Sequence, residues 1–303
     1  MDKPVPLDAT ESESISFAHR FEAWGVRLLL RFLRVLSIDA ASNLGGRFAR
    51  TIGPRLGIHR RAVRHISRAL PELSEDETQE IARDMWDNLG RTIAEFAKLD
   101  ALNCYAHDGR IEVRGAEHID ALKKSGGAAI FFSGHFANWE IMPLSVTQRG
   151  LPVSLVYRSA NNPVVNEIIL KMRRLSTHSN VPKGAAGARQ LISIVRDGGV
   201  LGILVDQKLN TGIPVPLMGR DAMTAPAMAQ LALKFNVPLI PISVVRKEGA
   251  RFLIDIEPPL DLNPTGDRAA DTLRIMTNVN AILERWIRAN PAQWLWLHRR
   301  WPD

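Results

Sequence analysis

A chain of 303 residues is long enough for one large α/β domain, or for such a domain with a substantial helical extension. Lys and Arg outnumber Asp and Glu, 39 against 32, so the surface attracts polyanions: nucleic acid, anionic lipid headgroups, an acidic carrier protein or phosphorylated substrates. The single cysteine, Cys104, excludes an intrachain disulfide and a thiolate metal cluster and fits a reducing cytosolic compartment.

Residues 1–19 are polar and acidic, with no cationic segment leading into an apolar one, which argues against a cleaved secretory signal and reads as a disordered tail. No window reaches the roughly 18 uninterrupted apolar residues of a membrane-spanning helix. The nearest, Phe21 to Ala41, is interrupted by arginines. Arg20, Arg27, Arg31 and Arg34 fall along one helical stripe, and Trp24, Leu28, Leu29, Phe32 and Leu36 occupy the rest of the circumference. Two readings fit: a helix lying in a membrane interface, with Trp24, Arg27, Arg31 and Arg34 at the headgroups, or an amphipathic helix packed on the protein's own core. Seven tryptophans, several near basic residues, favour the interface.

Residues 20–100 read as helical throughout. Ser74 and Glu77 form a capping-box pattern, and Ile81, Met85, Leu89, Ile93 and Phe96 follow at spacings of three and four. From residue 101 to 303 short apolar runs bounded by Gly or Pro alternate with helical patterns. The runs in "GAAIFFSG", "PVSLVYR", "VLGILVDQ" and "VPLIPISVV" predict buried strands, and "RFLIDIEPPL" an edge or hairpin strand. Helices are predicted over 139–147, 163–175, 188–196, 226–235 and 271–290. The fold class is therefore α/β, a mostly parallel sheet covered by helices and packed as one unit with its helical N-terminal extension.

The stretch "FFSGHFANWE" ends one of these strands with His135 and places Glu140 five residues on. Within one helix their side chains would sit about 140° apart and could not pair. They can meet if the chain turns at Gly134, His135 lies in the loop, and Glu140 starts the next helix with its side chain directed back. A carboxylate on one ring nitrogen would leave the other free to take a proton from a hydroxyl, although a lone histidine can equally be a structural residue. Loops beyond the carboxyl ends of parallel strands are where such folds bind ligands, and Asp206 and Gln207 should open onto the same rim. For Asp206, holding a loop by hydrogen bonds is the alternative to contacting substrate. Ser133 is not in a nucleophile elbow and Cys104 is remote in sequence, so no covalent intermediate is expected.

"GHFANWE" resembles the H-x-x-x-x-D/E motif of the glycerolipid and lysophospholipid acyltransferase superfamily, and in particular the late acyltransferases of lipid A biosynthesis, the lauroyl and myristoyl transferases. "VYRSANNP" resembles that family's next block, on Tyr157, Arg158, Asn162 and Pro163. "VDQKLNTGIPVPLMGRDAMTAP" is similar to its D-Q block, with Asp206, Gln207, Gly219 and Thr224 in order. "PAQWLWLHRRW" is similar to its closing block, carried by Pro291, Gln293, Trp296, His298, Arg299 and Arg300. "LPELSEDE" corresponds to an upstream signature, and the similarity runs from about residue 20 to the end. Two positions depart from the pattern: His65 stands where the family has Asn, and Trp294 where it has Tyr.

The resemblance implies acyl transfer from an acyl carrier protein thioester, or acyl-CoA, to a hydroxyl of a lipid A precursor, with no cofactor and no metal. It implies a general-base pair of His135 and Glu140, an anionic membrane as partner surface, and a place at the cytoplasmic face of the bacterial inner membrane. Arg158 would hold an acceptor phosphate or else cap its strand by an ion pair, and Asn162, Asp206, Gln207, Lys208, Gly219 and Arg220 would contribute to substrate binding. Trp296 is expected to be buried and structural, with Arg299 and Arg300 serving ionic or headgroup contacts. Backbone amides after Gly134 are the expected oxyanion donors. Another glycolipid or a lysophospholipid is the alternative acceptor, and a basic peripheral membrane-binding protein is the non-enzyme alternative. No helix-turn-helix, zinc-finger or RNP-like pattern supports nucleic-acid binding.

Overall fold

The computed structural model describes residues 15–107, 109–174 and 176–301. Most of the expected polar tail, residues 1–14, lies outside the described residues, and the first helix starts at Phe17, three residues before the expected helical start at residue 20. Four helices come first: α1 (Phe17–Val35), α2 (Ile38–Ile52), α3 (His59–Ala69) and α4 (Glu75–Phe96). The capping box read at Ser74 is formed, with the Ser74 hydroxyl accepting from the Glu77 amide and the Glu77 carboxylate accepting from the Ser74 amide. Helices α2 and α4 touch backbone to backbone where Gly45 crosses Gly90: a Cβ on Gly45 would fall 2.4 Å from the Gly90 carbonyl oxygen.

Beyond them run β1 (Ile111–Arg114), α5 (Ala116–Ser125), β2 (Ala129–Ser133), α6 (Ile141–Gln148), β3 (Val153–Tyr157), α7 (Pro163–Arg173), β4 (Ser179–Pro182), α8 (Ala185–Arg196) and β5 (Val200–Leu204). A hairpin, β6 (Ile213–Leu217) and β7 (Arg220–Thr224), leads to α9 (Ala227–Phe235), β8 (Leu239–Arg246), β9 (Phe252–Ile256) and α10 (Arg268–Ala289). The seven-stranded sheet has the order β1-β9-β8-β2-β5-β3-β4. The five strands from β8 to β4 are parallel, whereas β9 runs antiparallel to β8 and pairs in parallel with β1. The sheet is thus mostly parallel, and the hairpin strand β9 is internal because β1 covers its outer side.

Alternation along β2 divides the core. Ile130 and Phe132 face the layer of α3, α4, α9 and α10, and Ala129 and Phe131 face that of α5 and α6. The N-terminal helices are joined to the sheet by a buried polar network. Arg246 of β8 pairs with Glu95 of α4 and donates to Asn88, and Glu95 also accepts from Ser42 of α2 and from Asn138 in the loop after β2.

Helix α1 is the exception to this packing. It buries only Ala23 and Leu33, while Phe17, Phe21, Trp24, Leu28, Leu29, Phe32 and Val35 are exposed, Phe17 by 84% and Val35 by 86%. Its apolar face is therefore not covered by the protein's own core. Leu44, Phe48 and Ile52 of α2 and Ile93 of α4 extend the apolar surface around a groove of about 410 Å³. Arg27 and Arg31 are exposed beside this face, whereas Arg34 is turned into an exposed ion pair with Asp100. No helix among the described residues is long and apolar enough to cross a membrane.

Candidate active site

β2 and β5 are adjacent and parallel, with Ser133 opposite Leu204, and the Val205 amide extends the ladder by donating to the Ser133 carbonyl. Two residues beyond that register on each strand are His135 and Asp206. The fully buried Asp206 carboxylate accepts from the His135 ring at Nδ1 (2.7 Å), from the His135 backbone amide (2.7 Å) and from the Trp294 indole (2.8 Å). Burial alone would push the Asp206 carboxyl up. The charge and hydrogen bonds of His135, with His298 nearby, override it and hold the group well below the usual carboxylate range. An ionised carboxylate can only accept, so Nδ1 carries a proton, and whenever the ring is neutral the lone pair sits on Nε2.

The pairing of Glu140 with His135 expected from their spacing is not what the fold builds. Glu140 is the N-cap of α6, buried, and its carboxylate is gripped in a two-point ion pair by the Arg173 guanidinium of α7, with Nε to Oε2 at 2.9 Å. It also accepts from the Trp139 indole at 3.2 Å. The carboxylate that orients His135 comes instead from the next strand of the sheet.

The loop between β2 and α6 is held tightly. Gly134 lies where a Cβ would meet the Phe136 ring at 2.8 Å and Asp206 Oδ2 at 3.2 Å, so no larger residue fits without displacing one of them. Ala137 adopts a left-handed backbone (φ 43°), held by its amide donating to the Gln293 carbonyl and its own carbonyl accepting from Thr92 and Asn88. The closing segment clamps the same loop: Leu295 donates to the His135 carbonyl, and Phe136 bridges to Trp294.

His135, Glu140, Arg158 and Gln207 line one cavity of about 180 Å³, together with Trp139, Tyr157, Arg173 and Lys183. Lys183, at the end of β4, was not singled out by the sequence; only the order of strands brings it here. The cavity lies below the ~300–1,000 Å³ of sites that enclose a whole small molecule, so it seats reacting groups while a long chain extends beyond it. A larger groove of about 640 Å³ between β6, α9 and α10 has no histidine or carboxylate among the described residues that line it.

Several expected substrate contacts lie elsewhere. Asn162 caps α7 and ties it to α1 by donating to the His19 carbonyl and to Glu22, so its amide is committed to that joint. Gly219 and Met218, both at positive φ, make the two-residue turn of the β6–β7 hairpin. Arg220 stacks over Trp301 at 5.3 Å, and Lys208 is exposed outside the cavity lining. Arg300, expected at headgroups, is fully buried and donates to the Met223 carbonyl, Thr224 and Asn280, while Trp296 is fully buried as expected. Burial pushes the Cys104 thiol up to about 12, which removes it as a nucleophile at neutral pH.

A fixed histidine whose Nε2 faces the cavity, 3.5 Å from the Gln207 amide nitrogen, on a wall rimmed by cations, can deprotonate a hydroxyl beside an anionic group. The profile of the family described as "Bacterial lipid A biosynthesis acyltransferase" matches residues 10–303. Among curated proteins the chain is 24% identical over 255 residues to the lipid A biosynthesis myristoyltransferase of Escherichia coli K12, covering 83% of this chain and 77% of that protein. It is 26% identical over 247 residues to the lipid A biosynthesis lauroyltransferase of the same organism, covering 78% and 76%. The palmitoleoyltransferase of that organism is 20% identical over 249 residues, covering 79% and 77%. A solved 1-acyl-sn-glycerophosphate acyltransferase from Thermotoga maritima is similar over 91% of this chain and 99% of that one, at 13% identity and a TM-score of 0.38. With the profile spanning nearly its whole length, this chain belongs to the bacterial lipid A biosynthesis acyltransferase family and is an acyltransferase.

Proposed function

We propose that this acyltransferase moves a fatty acyl group from an acyl carrier protein thioester, or acyl-CoA, directly to a hydroxyl of a lipid A precursor, with His135 as general base. The observation that carries the reading is the 2.7 Å bond from His135 Nδ1 to Asp206, which leaves Nε2 as a proton acceptor inside the cavity. Asp206 fixes the tautomer and stabilises the imidazolium that forms when the hydroxyl loses its proton. Glu140 acts at one remove, by holding Arg173 and with it the wall of the cavity. Arg158, exposed on the rim, takes a phosphate of the acceptor.

The uncovered apolar face of α1, with Trp24, Arg27 and Arg31 alongside, supports an enzyme that lies on the anionic cytoplasmic face of the inner membrane. An acyl carrier protein, being acidic, is the donor that the excess of seven basic residues favours. The test is mass spectrometry of the lipid product after incubating the protein with an acyl carrier protein thioester and a lipid A precursor. The reading expects one added acyl ester on the glycolipid; acylation of added lysophospholipid alone would replace the acceptor, and no acylation of either would remove the reading.

A further inference from the structure

The transferring carbonyl acquires a negative oxygen, and the first three of the amides expected to donate to it, those directly after Gly134, are already engaged. The backbone amides of His135, Phe136 and Ala137 donate to Asp206, to the Gly134 carbonyl and to the Gln293 carbonyl. The side chain of Gln207 is placed differently. Its amide nitrogen lies 3.5 Å from His135 Nε2, and its Oε1 accepts a hydrogen bond from the Lys183 ammonium. An ammonium can only donate, so Lys183 fixes which end of the carboxamide faces the histidine: the NH2 end. At 3.5 Å the contact is too long to hold that nitrogen in a strong bond, and its protons remain available beside the reactive lone pair.

We propose that Gln207 is a catalytic residue that donates to the oxyanion of the tetrahedral intermediate, and that Lys183 is its positioning residue. The proposal rests on the acyl-transfer reading above. The acceptor hydroxyl gives its proton to His135 Nε2 while its oxygen bonds to the thioester carbonyl carbon, and the carbonyl π pair moves onto oxygen. That oxygen forms within reach of a donor adjacent to Nε2, because the attacked carbon is about 3 Å from the attacking atom at the outset. Collapse restores the C=O bond and breaks the C–S bond, and the leaving thiolate takes the proton back from His135. Ester and thiol are formed with no proton or electron left over. Lys183 places its positive charge behind the amide, polarising it toward the developing anion.

The experiment is steady-state kinetics of the full-length enzyme, with acyl carrier protein thioester and lipid acceptor, for Q207L, Q207E, K183M, K183R, the double variant K183M/Q207L and H135A. Loss of one oxyanion donor predicts a fall in kcat of about 100- to 1,000-fold for Q207L, with donor KM within about three-fold. Q207E keeps the size of the side chain and a partner for Lys183, and is expected to fold and to lose kcat at least as severely. K183M should cost about ten-fold in kcat, K183R should restore most of it, and K183M should cost nothing further in the Q207L background. A kcat within three-fold of wild type in Q207L and Q207E, or a loss confined to KM, while H135A is inactive, overturns the role of Gln207 alone. A K183M loss of equal size in both backgrounds assigns Lys183 to the substrate and overturns its positioning role. Activity persisting in H135A overturns the underlying base instead, and the proposal falls with it.

Discussion

His135 is oriented by Asp206, a residue 71 positions away, and the separation equals the register offset of the two strands that carry them, since Ser133 lies opposite Leu204. The pair is a product of sheet pairing. Continuing two residues past the paired ends of β2 and β5 brings the imidazole and the carboxylate to the same point on the carboxyl edge. Parallel register therefore does for this site what local helix geometry does not do for His135 and Glu140.

Gly134 makes that meeting possible. In Gly134→Ala the new methyl would stand 2.8 Å from the Phe136 ring, which is itself packed at 5.8 Å from the Trp286 ring. The expected outcome is a cost of about 1–3 kcal/mol in urea unfolding together with a loss of turnover exceeding ten-fold. Normal turnover in a folded Gly134→Ala protein would show that the loop tolerates displacement.

Glu140 and Arg173 form a pair of little-exposed charges, 8% and 17% exposed at their side chains. Removing one charge strands the other, so Glu140→Gln should lose roughly 3 kcal/mol of stability, and its effect on activity should follow from the loosened cavity wall. Asp206→Asn, by contrast, should reduce kcat with a smaller effect on binding. If Glu140→Gln lowers kcat as strongly as Asp206→Asn without loss of stability, Glu140 touches the chemistry directly.

The exposed face of α1 is testable by vesicle flotation. Replacing Phe21, Trp24 and Phe32 by Ser removes three rings that are each more than half exposed, so the fold should persist while binding to anionic vesicles falls at least ten-fold. Arg27→Glu with Arg31→Glu should weaken binding in a salt-dependent way. Unchanged flotation of the triple variant would take α1 out of the membrane contact.

His298 packs its ring at 4.7 Å from that of His135, and its imidazole is pushed down to about 4, first by burial and then by the charge of His135, against the attraction of Asp206. Lys183 and Arg300 push it in the same direction as His135. An unfolded histidine titrates near ~6.5, so between that value and about 4 the unfolded chain binds a proton that the native one does not. Stability from this group is full above pH ~6.5 and falls as the pH drops, by about 2 kcal/mol at pH 5. Urea unfolding at pH 7.5 and pH 5 should show a smaller acid loss in His298→Gln than in the wild type; equal losses would mean that His298 is charged in the native state.

The fold was largely legible because its signals are local. Strands β2, β3, β5, β8 and β9 are apolar runs between Gly and Pro, and α4 announces itself by the Ser74–Glu77 box. Strands β1, β4, β6 and β7 and helix α5 are not among the predicted elements: β1 reads "IEVR", β4 "SNVP" and β7 "RDAMT", and β6 alternates proline with apolar residues, so none of these strands has an apolar run. In the site, His135 and the approach of Asp206 and Gln207 to its rim followed from strand–loop–helix order. That Asp206 rather than Glu140 meets the ring required the strand register, and Lys183 required the placement of β4 at the sheet edge beside β3. Arg300 was misjudged because a basic run at a chain end gives no hint that Thr224 and Asn280 wait to receive it in the interior.

In the proposed reaction an Asp206-oriented His135 takes the proton of the acceptor hydroxyl. Its most direct measurement is the rate of acyl transfer from a thioester donor to the lipid acceptor, read by product mass, for wild type, His135→Ala and Asp206→Asn at matched folded concentration. His135→Ala should give no transfer above background, and Asp206→Asn a kcat lowered by about 100- to 10,000-fold with KM little changed. Wild-type kcat in either folded variant would contradict that role of the pair.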